Sequence, residues 1–361
     1  MANMHDVYFA TNRNLLRKTG PVEFGGRFHV DGPQFYRVGH AQVEKVSDDP
    51  DEGYVVREVS IAAESKQGAP VRLGSKAIFT DLREKMRAEN RDVIVYIHGF
   101  ANDFLSVIGR AAQVADVYRI NKANSPEYRP YVFAFSWPSN GKVVPPWQYF
   151  SDRDDAEASG KAMARSLLRL IEFLNETNAD DEQCDQRLHL VAHSMGNWAL
   201  RHMVQGLRHL GGAEAMRPIF ENIFLMAADE DDDALEVERE EKLGLLPRLA
   251  RRIYVYHSAD DRALVISDVT KFNPDRLGFN GPRTFSGLST RITAIDCELV
   301  DKTELQHVNH QYYRLRTEVI QDVRAILAGI ERPETFRWRE TVEPGRRYRI
   351  RFSEPETRPN E

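Results

Sequence analysis

Cysteine is almost absent from this chain. Its 361 residues include two cysteines, Cys184 and Cys297, which cannot build a framework of several disulfides or a paired C-x-x-C metal site. Such scarcity favours a reducing compartment. An excess of positive charge is missing as well, since the formal net charge is -6 at pH 7. A protein that binds nucleic acid by neutralising phosphates is therefore not expected.

Long apolar runs are also missing. No stretch is long enough to cross a bilayer, and the first residues, MANMHDVYFATNRN, lack the basic and apolar regions of a signal peptide. We expect a cytoplasmic protein with no stable membrane insertion. The sequence indicates no particular oligomeric state.

Short segments that are apolar throughout are what the chain does contain. Continuous apolarity, in place of alternation with polar residues, is typical of strands covered on both faces. Helical patterns lie between these segments, so the sequence predicts an α/β fold with a mostly parallel central sheet and helices on both faces. The predicted strands are DVIVYIHG (92–99), YVFAFSWP (131–138), LHLVAHS (188–194), NIFLMAAD (222–229), RIYVYHS (252–258) and a sixth that begins at Arg291.

Apolar residues at helical spacing predict three helices. They cover residues 154–174, the segment from Ser194 to Leu207, and residues 311–330. Residues 7–61 differ, because their turn residues favour antiparallel strands.

The domain organisation follows from these elements. We expect one α/β domain over residues 1–330, followed by a charged tail or hairpin over 331–361. Two segments, 139–155 and 268–287, are candidate flaps over a pocket at the sheet edge.

The segment LHLVAHSMGNWAL places Ser194 on a tight turn between a predicted strand and a predicted helix. Small residues, Ala192 and Gly196, stand two positions before and after it, as in the G-x-S-x-G turn that exposes a nucleophilic serine. The helix that follows would direct its N-terminal amides at negative charge developing beside the serine. Alanine at position 192 departs from the pattern. For the isolated motif, the alternative is that Ser194 caps the helix.

An acid and a histidine follow this serine, each just after a predicted strand. This is the chain order of a serine hydrolase built on a parallel sheet. The acid candidates are Asp260 and Asp261, and the histidine candidates are His307 and His310.

An oxyanion hole is predicted upstream, where His98, Gly99 and Phe100 end a strand. The amide of Phe100, alone or with that of Ala101, would join the amide of Met195. Each such donor is worth roughly 3 kcal/mol of transition-state stabilisation.

In these motifs the chain resembles the alpha/beta hydrolases of unknown function catalogued as DUF900. The matching segments span most of residues 7–330 and are FATNR, VYIHGF, FSWPS, VAHSMGN, LMAADED, YHSADDRAL, RLG (276–278) and NHQYY. The resemblance implies the α/β-hydrolase fold and a Ser-Asp-His triad, and it implies little about the substrate.

Matched motif by motif, the resemblance implies that Ser194 is the nucleophile, Asp261 the acid and His310 the base. The alternative acid is Asp229, which ends the preceding strand, where some α/β-hydrolases place theirs. The alternative base is His307. The acid would hold the histidine tautomer and stabilise the imidazolium.

No metal or cofactor is expected. His307 and His310 are three residues apart, but no third ligand completes a known zinc motif. The acidic run that begins at Asp229 lacks the spaced ligands of a calcium loop and is interpreted as a solvated helix start. His193 is assigned to packing, and His98 to support of the oxyanion turn.

We therefore predict a cofactor-free serine hydrolase that acts on a carboxylic ester of a small-molecule substrate through an acyl-enzyme. Two alternatives stay open. One is hydrolysis of an amide, peptide or thioester by the same triad, and the other is a non-catalytic scaffold or interaction protein.

Overall fold

The apolar segments of the sequence lie side by side in one large sheet, which confirms the predicted fold class. The protein is described by a computed structural model. The described residues are 3–17, 21–62, 74–121, 127–140, 147–175, 186–261, 263–264, 275–300, 309–330 and 338–351.

The strands are β1 (Asn3–Thr11), β2 (Arg13–Arg17), β3 (Glu23–Phe28), β4 (Arg37–Lys45), β5 (Tyr54–Ile61), β6 (Val93–Ile97), β7 (Tyr131–Ser136), β8 (Leu188–His193), β9 (Phe220–Met226), β10 (Ala250–His257), β11 (Ile292–Leu299), β12 (Arg339–Glu343) and β13 (Arg347–Arg351). Strands β6 to β11 run parallel. Beside them, β1 pairs parallel with β7, and β4 pairs antiparallel with both β1 and β5. The sheet order is β12-β13-β11-β10-β9-β8-β6-β7-β1-β4-β5, and β2 and β3 pair outside it.

Helices cover both faces of this sheet. They are α1 (Gly74–Glu89), α2 (Phe104–Val117), α3 (Trp147–Asn175), α4 (Gly196–Gly211), α5 (Leu277–Asn280), α6 (Tyr312–Leu315) and α7 (Thr317–Leu327). No helix in the described part of the chain is long and apolar enough to cross a membrane.

The central strand β6 shows why these strands are apolar throughout. Val93, Val95 and Ile97 belong to the core packed by α1, α3 and α4. Ile94 and Tyr96 belong to the second core, packed by α2, α6 and α7. Burial of each such side chain contributes about 2 kcal/mol, so both faces of the strand favour large apolar residues.

The structure departs from the sequence predictions at two helices. The helix expected over 311–330 is divided into α6 and α7, because Arg316 between them is extended, with φ -102° and ψ 118°. The helix expected over 154–174 begins at Trp147, so residues 147–155 of one candidate flap are helical. Residues 141–146 of that flap lie outside the described residues.

The other candidate flap and the tail also contain regular structure. Residues 268–274 lie outside the described residues, and α5 forms part of the rest of that segment. Strands β12 and β13 form a hairpin in the tail, and β13 pairs parallel with β11, which extends the main sheet.

Candidate active site

Loops that follow the parallel strands meet at one edge of the sheet, where the carboxyl ends of such strands lie together. Four non-glycine residues in these loops have positive φ: Ala101 (58°), Ser194 (54°), Ala227 (47°) and Asn309 (56°). A non-glycine residue in this conformation costs about 1–3 kcal/mol and persists only where its surroundings fix it. Backbone strain is therefore concentrated at this edge, as is typical of functional sites.

Ser194 stands on the strained turn between β8 and α4. Its N–H donates to the Met226 carbonyl of β9 at 2.9 Å, which ties the turn to the neighbouring strand. Glycine is required at position 196, because an added Cβ would lie 2.5 Å from the carbonyl oxygen of Ile97. Ala192 is a fully buried strand residue, so its methyl group is accommodated in the core.

The alternative that Ser194 caps α4 is wrong, because the N-cap is Met195 and no side chain caps this helix. The turn is held by Asn197 instead. Its Nδ2 donates to the carbonyl oxygens of Ala192 at 3.1 Å and Ser194 at 3.0 Å. The sequence prediction missed this residue, although it lies in the motif VAHSMGN.

Asp261 and His310 meet beside this turn. The Nδ1 of His310 donates to Asp261 Oδ2 at 2.7 Å. The N–H groups of Ala263 and Leu264 donate to Asp261 Oδ1 at 3.2 and 3.3 Å. Since a carboxylate only accepts, the Nδ1 of His310 carries a proton, which leaves Nε2 as the nitrogen that can accept one. A general base requires this tautomer.

His193 contacts His310, which the assignment of His193 to packing did not anticipate. Its Nε2 donates to the His310 carbonyl at 3.1 Å, and the two ring centroids are 4.7 Å apart. On another side its ring lies 4.5 Å from that of Tyr313. Burial, and then the neighbouring His310, lower the pKa of His193 well below its usual value, so it stays neutral.

The turn after β6 lies against Ser194. An added Cβ at Gly99 would lie 2.9 Å from the Cβ of Ser194, so only glycine fits there. His98 supports the turn, as expected: its Nδ1 donates to the Gly99 carbonyl at 2.8 Å, and its Nε2 accepts from the Trp137 N–H at 3.2 Å. Burial lowers the pKa of His98 well below its usual value, which keeps the ring neutral.

Asn102 fixes the direction of the peptide groups in this turn. Its Nδ2 donates to the carbonyls of Gly99 at 3.0 Å and Phe100 at 2.7 Å. In a trans peptide the N–H points opposite to the carbonyl, so the N–H groups of Phe100 and Ala101 point away from Asn102. Among the described residues, these two N–H groups and that of Met195 have no hydrogen-bond acceptor.

Asp229 is buried close to Ser194, and its N–H lies 3.3 Å from the Ser194 carbonyl. The structure brings its carboxylate to other groups than His310. The Tyr149 hydroxyl donates to it. The guanidinium groups of Arg276 and Arg153 lie 3.8 and 4.0 Å from it.

The interpretation of the acidic run as a solvated helix start is wrong. Residues 229–249 form turns and one 3-10 turn at Leu246–Arg248, and Asp229, Glu230 and Asp233 are buried. Arg201 lies 3.4 Å from Glu230, and Lys242 binds Asp233 at 2.5 Å. Burial raises the pKa of Glu230 to about 7. Arg201 of α4 and Lys242 of the loop itself thus supply the cations that allow this acidic loop to pack inward.

The chain matches the family described as "Alpha/beta hydrolase of unknown function (DUF900)" over residues 75–328. It belongs to this family. The matched residues include Ser194, Asp261, His310 and the turn at 98–102. The segment FATNR, at residues 9–13, lies before them.

Two known proteins share parts of the chain. A Nostoc sp. (strain PCC 7120) protein, "Uncharacterized protein alr1448", is 37% identical over 73 residues, which are 20% of this chain and 16% of that protein. "Phospholipase PlaB from Legionella pneumophila in complex with thio-NAD" is similar with a TM-score of 0.22 and 12% identity, over 61% of this chain and 40% of that chain. This DUF900 member thus spans less than half the length of either protein.

Two predictions remain, one about the alternative base and one about metal ions. His307, the alternative base, lies outside the described residues. Within the described ranges, no group of three or more His, Cys, Asp or Glu residues is arranged to hold a metal ion.

Proposed function

We propose that this DUF900 protein is a serine hydrolase that acts on carboxylic esters. Ser194 attacks the acyl carbon while His310 Nε2 removes its proton, and Asp261 stabilises the imidazolium. His310 then protonates the leaving alcohol. Water hydrolyses the acyl-enzyme with His310 as the base once more, which regenerates the serine.

The hydrogen bond between His310 and Asp261 is the strongest support for this proposal. It fixes the tautomer in which Nε2 can accept a proton. Among the described residues, neither the Ser194 hydroxyl nor His310 Nε2 has a hydrogen-bond partner. Their contact would form when substrate binds, as is common in hydrolases without ligand.

The N–H groups of Met195 and Phe100, which have no acceptor in the described part of the chain, support an oxyanion hole at this serine. Donors that already point at the position of the developing charge need no reorganisation during the reaction. The N–H of Ala101 lies in the same turn and is a candidate third donor.

A fluorophosphonate probe tests the proposal, because it reacts with an activated serine. Wild-type protein should gain one adduct, mapped to residue 194 by peptide mass spectrometry, and S194A should gain none. The matched control is S289A, in the turn before β11, which should label like wild type. Equal labelling of wild type and S194A, or folded wild-type protein that does not label, would reject the proposal.

A panel of acyl esters, thioesters and amides then defines the bond that is cleaved. The proposal expects the highest kcat/KM for an ester. A higher value for an amide or thioester would place the same triad in another hydrolase class.

A further inference from the structure

Arg13 lies on β2, outside the matched family residues, yet its guanidinium reaches the candidate oxyanion turn. Its Nη2 donates to the Asn102 carbonyl at 2.7 Å. Its Nη1 donates to the Ser139 carbonyl at 3.0 Å and to the Gly25 carbonyl at 3.3 Å, and its Nε donates to Ser136 Oγ at 2.8 Å. One side chain thus joins the loop after β6, the loop after β7 and strand β3.

The contact with Asn102 matters because Asn102 orients the turn. Its side chain holds the carbonyls of Gly99 and Phe100, and its N–H donates to Ser139 Oγ at 3.1 Å. Ser139 in turn donates to Asp152 at 2.6 Å. Arg13 binds the carbonyls of both Asn102 and Ser139, so it fixes the two loops relative to each other.

Ala101 explains why the turn needs to be held in place. It is strained, with φ 58°, and directly precedes Asn102. A strained residue relaxes unless its neighbours hold it. Release of the Asn102 carbonyl would let the turn relax and rotate the N–H of Phe100 away from its present direction.

Burial of the Arg13 guanidinium costs the free energy of its lost hydration. Arg13 is fully buried, and among the described residues no carboxylate lies within ion-pair distance of it. Burial lowers its pKa to about 10, although it remains charged at neutral pH. Four backbone and hydroxyl acceptors, arranged to match the planar guanidinium, compensate the lost hydration.

We propose that Arg13 is a positioning residue that holds the turn at residues 99–102, so that the N–H of Phe100 faces the oxyanion formed at Ser194. This inference rests on the proposed function, and it assigns a role in the site to the N-terminal strands. Arg13 acts through Asn102 and does not touch the substrate.

The test compares R13A and R13K with wild type in ester turnover and in hydrogen exchange of peptides that span residues 98–102. We expect kcat to fall about 100-fold in R13A, the scale of a misplaced catalytic group, with KM little changed. Exchange in this peptide should rise. R13K should resemble R13A, because an ammonium cannot make the four-way contact.

Chemical rescue adds a readout that a loss of general stability would not show. Arg13 lines a cavity of about 450 Å³ together with Asp103, Asn140 and Gln148. Low, non-denaturing guanidinium should therefore restore part of the kcat of R13A, whereas sodium chloride of equal ionic strength should not. The control is R339A, which removes a buried arginine of β12 that pairs with Asp322 of α7. Guanidinium should not raise its kcat.

Three outcomes would overturn the proposal. They are wild-type kcat in folded R13A, wild-type kcat in R13K, or unchanged exchange at 98–102 in both variants. The exchange measurement needs no activity, so it judges the structural role separately. If wild type itself neither turns over esters nor reacts with fluorophosphonate, the proposed function fails instead.

Discussion

The loops after β9 and β10 each bury an aspartate at the same edge of the sheet, yet the two carboxylates have different partners. Asp261, after β10, binds the imidazole of His310 and two backbone N–H groups. Asp229, after β9, binds the Tyr149 hydroxyl and lies near two guanidinium groups. A sequence motif can place either aspartate at a strand end. Their partners distinguish them: an imidazole beside Asp261 suits a triad acid, whereas two guanidinium groups near Asp229 neutralise its charge within the fold.

The largest expected effect is the loss of kcat in D261N. The amide oxygen accepts less well than the carboxylate, and the amide N–H favours the His310 tautomer that carries its proton on Nε2. We therefore expect kcat to fall about 10⁴-fold. Stopped-time ester assays over a range of enzyme concentrations would measure it. The matched control is D260N at the neighbouring, partly exposed aspartate, which should retain wild-type kcat. Equal losses in both variants would mean that the loop as a whole, and not the Asp261 carboxylate, is needed.

The next largest effect concerns the pH dependence of stability from Glu230, in the loop after β9. Burial raises its pKa in the folded protein to about 7, above its usual value of 4.5. Between these values the folded state binds more protons than the unfolded state, so the free energy of unfolding falls as pH rises. E230Q removes this contribution. Its stability relative to wild type should therefore rise by on the order of 3 kcal/mol from pH 4.5 to pH 8.

Urea unfolding at a series of pH values would measure this difference. E238Q, at an exposed position of the same loop, is the control and should track wild type. A constant difference between E230Q and wild type would show that Glu230 is ionised to the same extent in both states. In that case burial in the loop after β9 would not change the ionisation of Glu230.

The smallest effect is expected for D229N. Arg276 is buried and would lose one carboxylate, but it keeps Asp231 at 3.3 Å. We expect a loss of about 2 kcal/mol in the free energy of unfolding. The kcat of the remaining folded enzyme should change far less than in D261N. A loss of kcat as large as in D261N, without a loss of stability, would make Asp229 the triad acid.

Much of the fold was predictable because its determinants are local. The strands are continuous apolar runs since both faces are covered, and β6 shows this residue by residue. The division of the last helix was not predictable from apolar spacing, because the spacing continues through Arg316 while its backbone is extended. Spacing reports which face is buried and does not report a break in the backbone.

The candidate site was predictable where a residue follows directly from a strand end. The strand ends marked Ser194, the turn at Gly99 and the pair Asp260 and Asp261. The family resemblance then singled out Asp261 from that pair. The partners of Asp229 and Glu230 were not, because Arg276, Arg201 and Arg153 come from other segments and meet the acidic loop only in the folded chain. The same holds for Arg13, which is 89 residues from Asn102. The motif FATNR marked the residue, but no pattern in the sequence revealed what it binds.

The rate of fluorophosphonate labelling at Ser194 in wild type, D261N and D229N tests the central claim most directly. It reports activation of the serine and needs no knowledge of the substrate. We predict that Ser194 labels in wild type, that folded D229N labels at a similar rate, and that D261N labels orders of magnitude more slowly. If D261N labelled like wild type while D229N did not, the assignment of Asp261 as the acid that serves His310 and Ser194 would be contradicted.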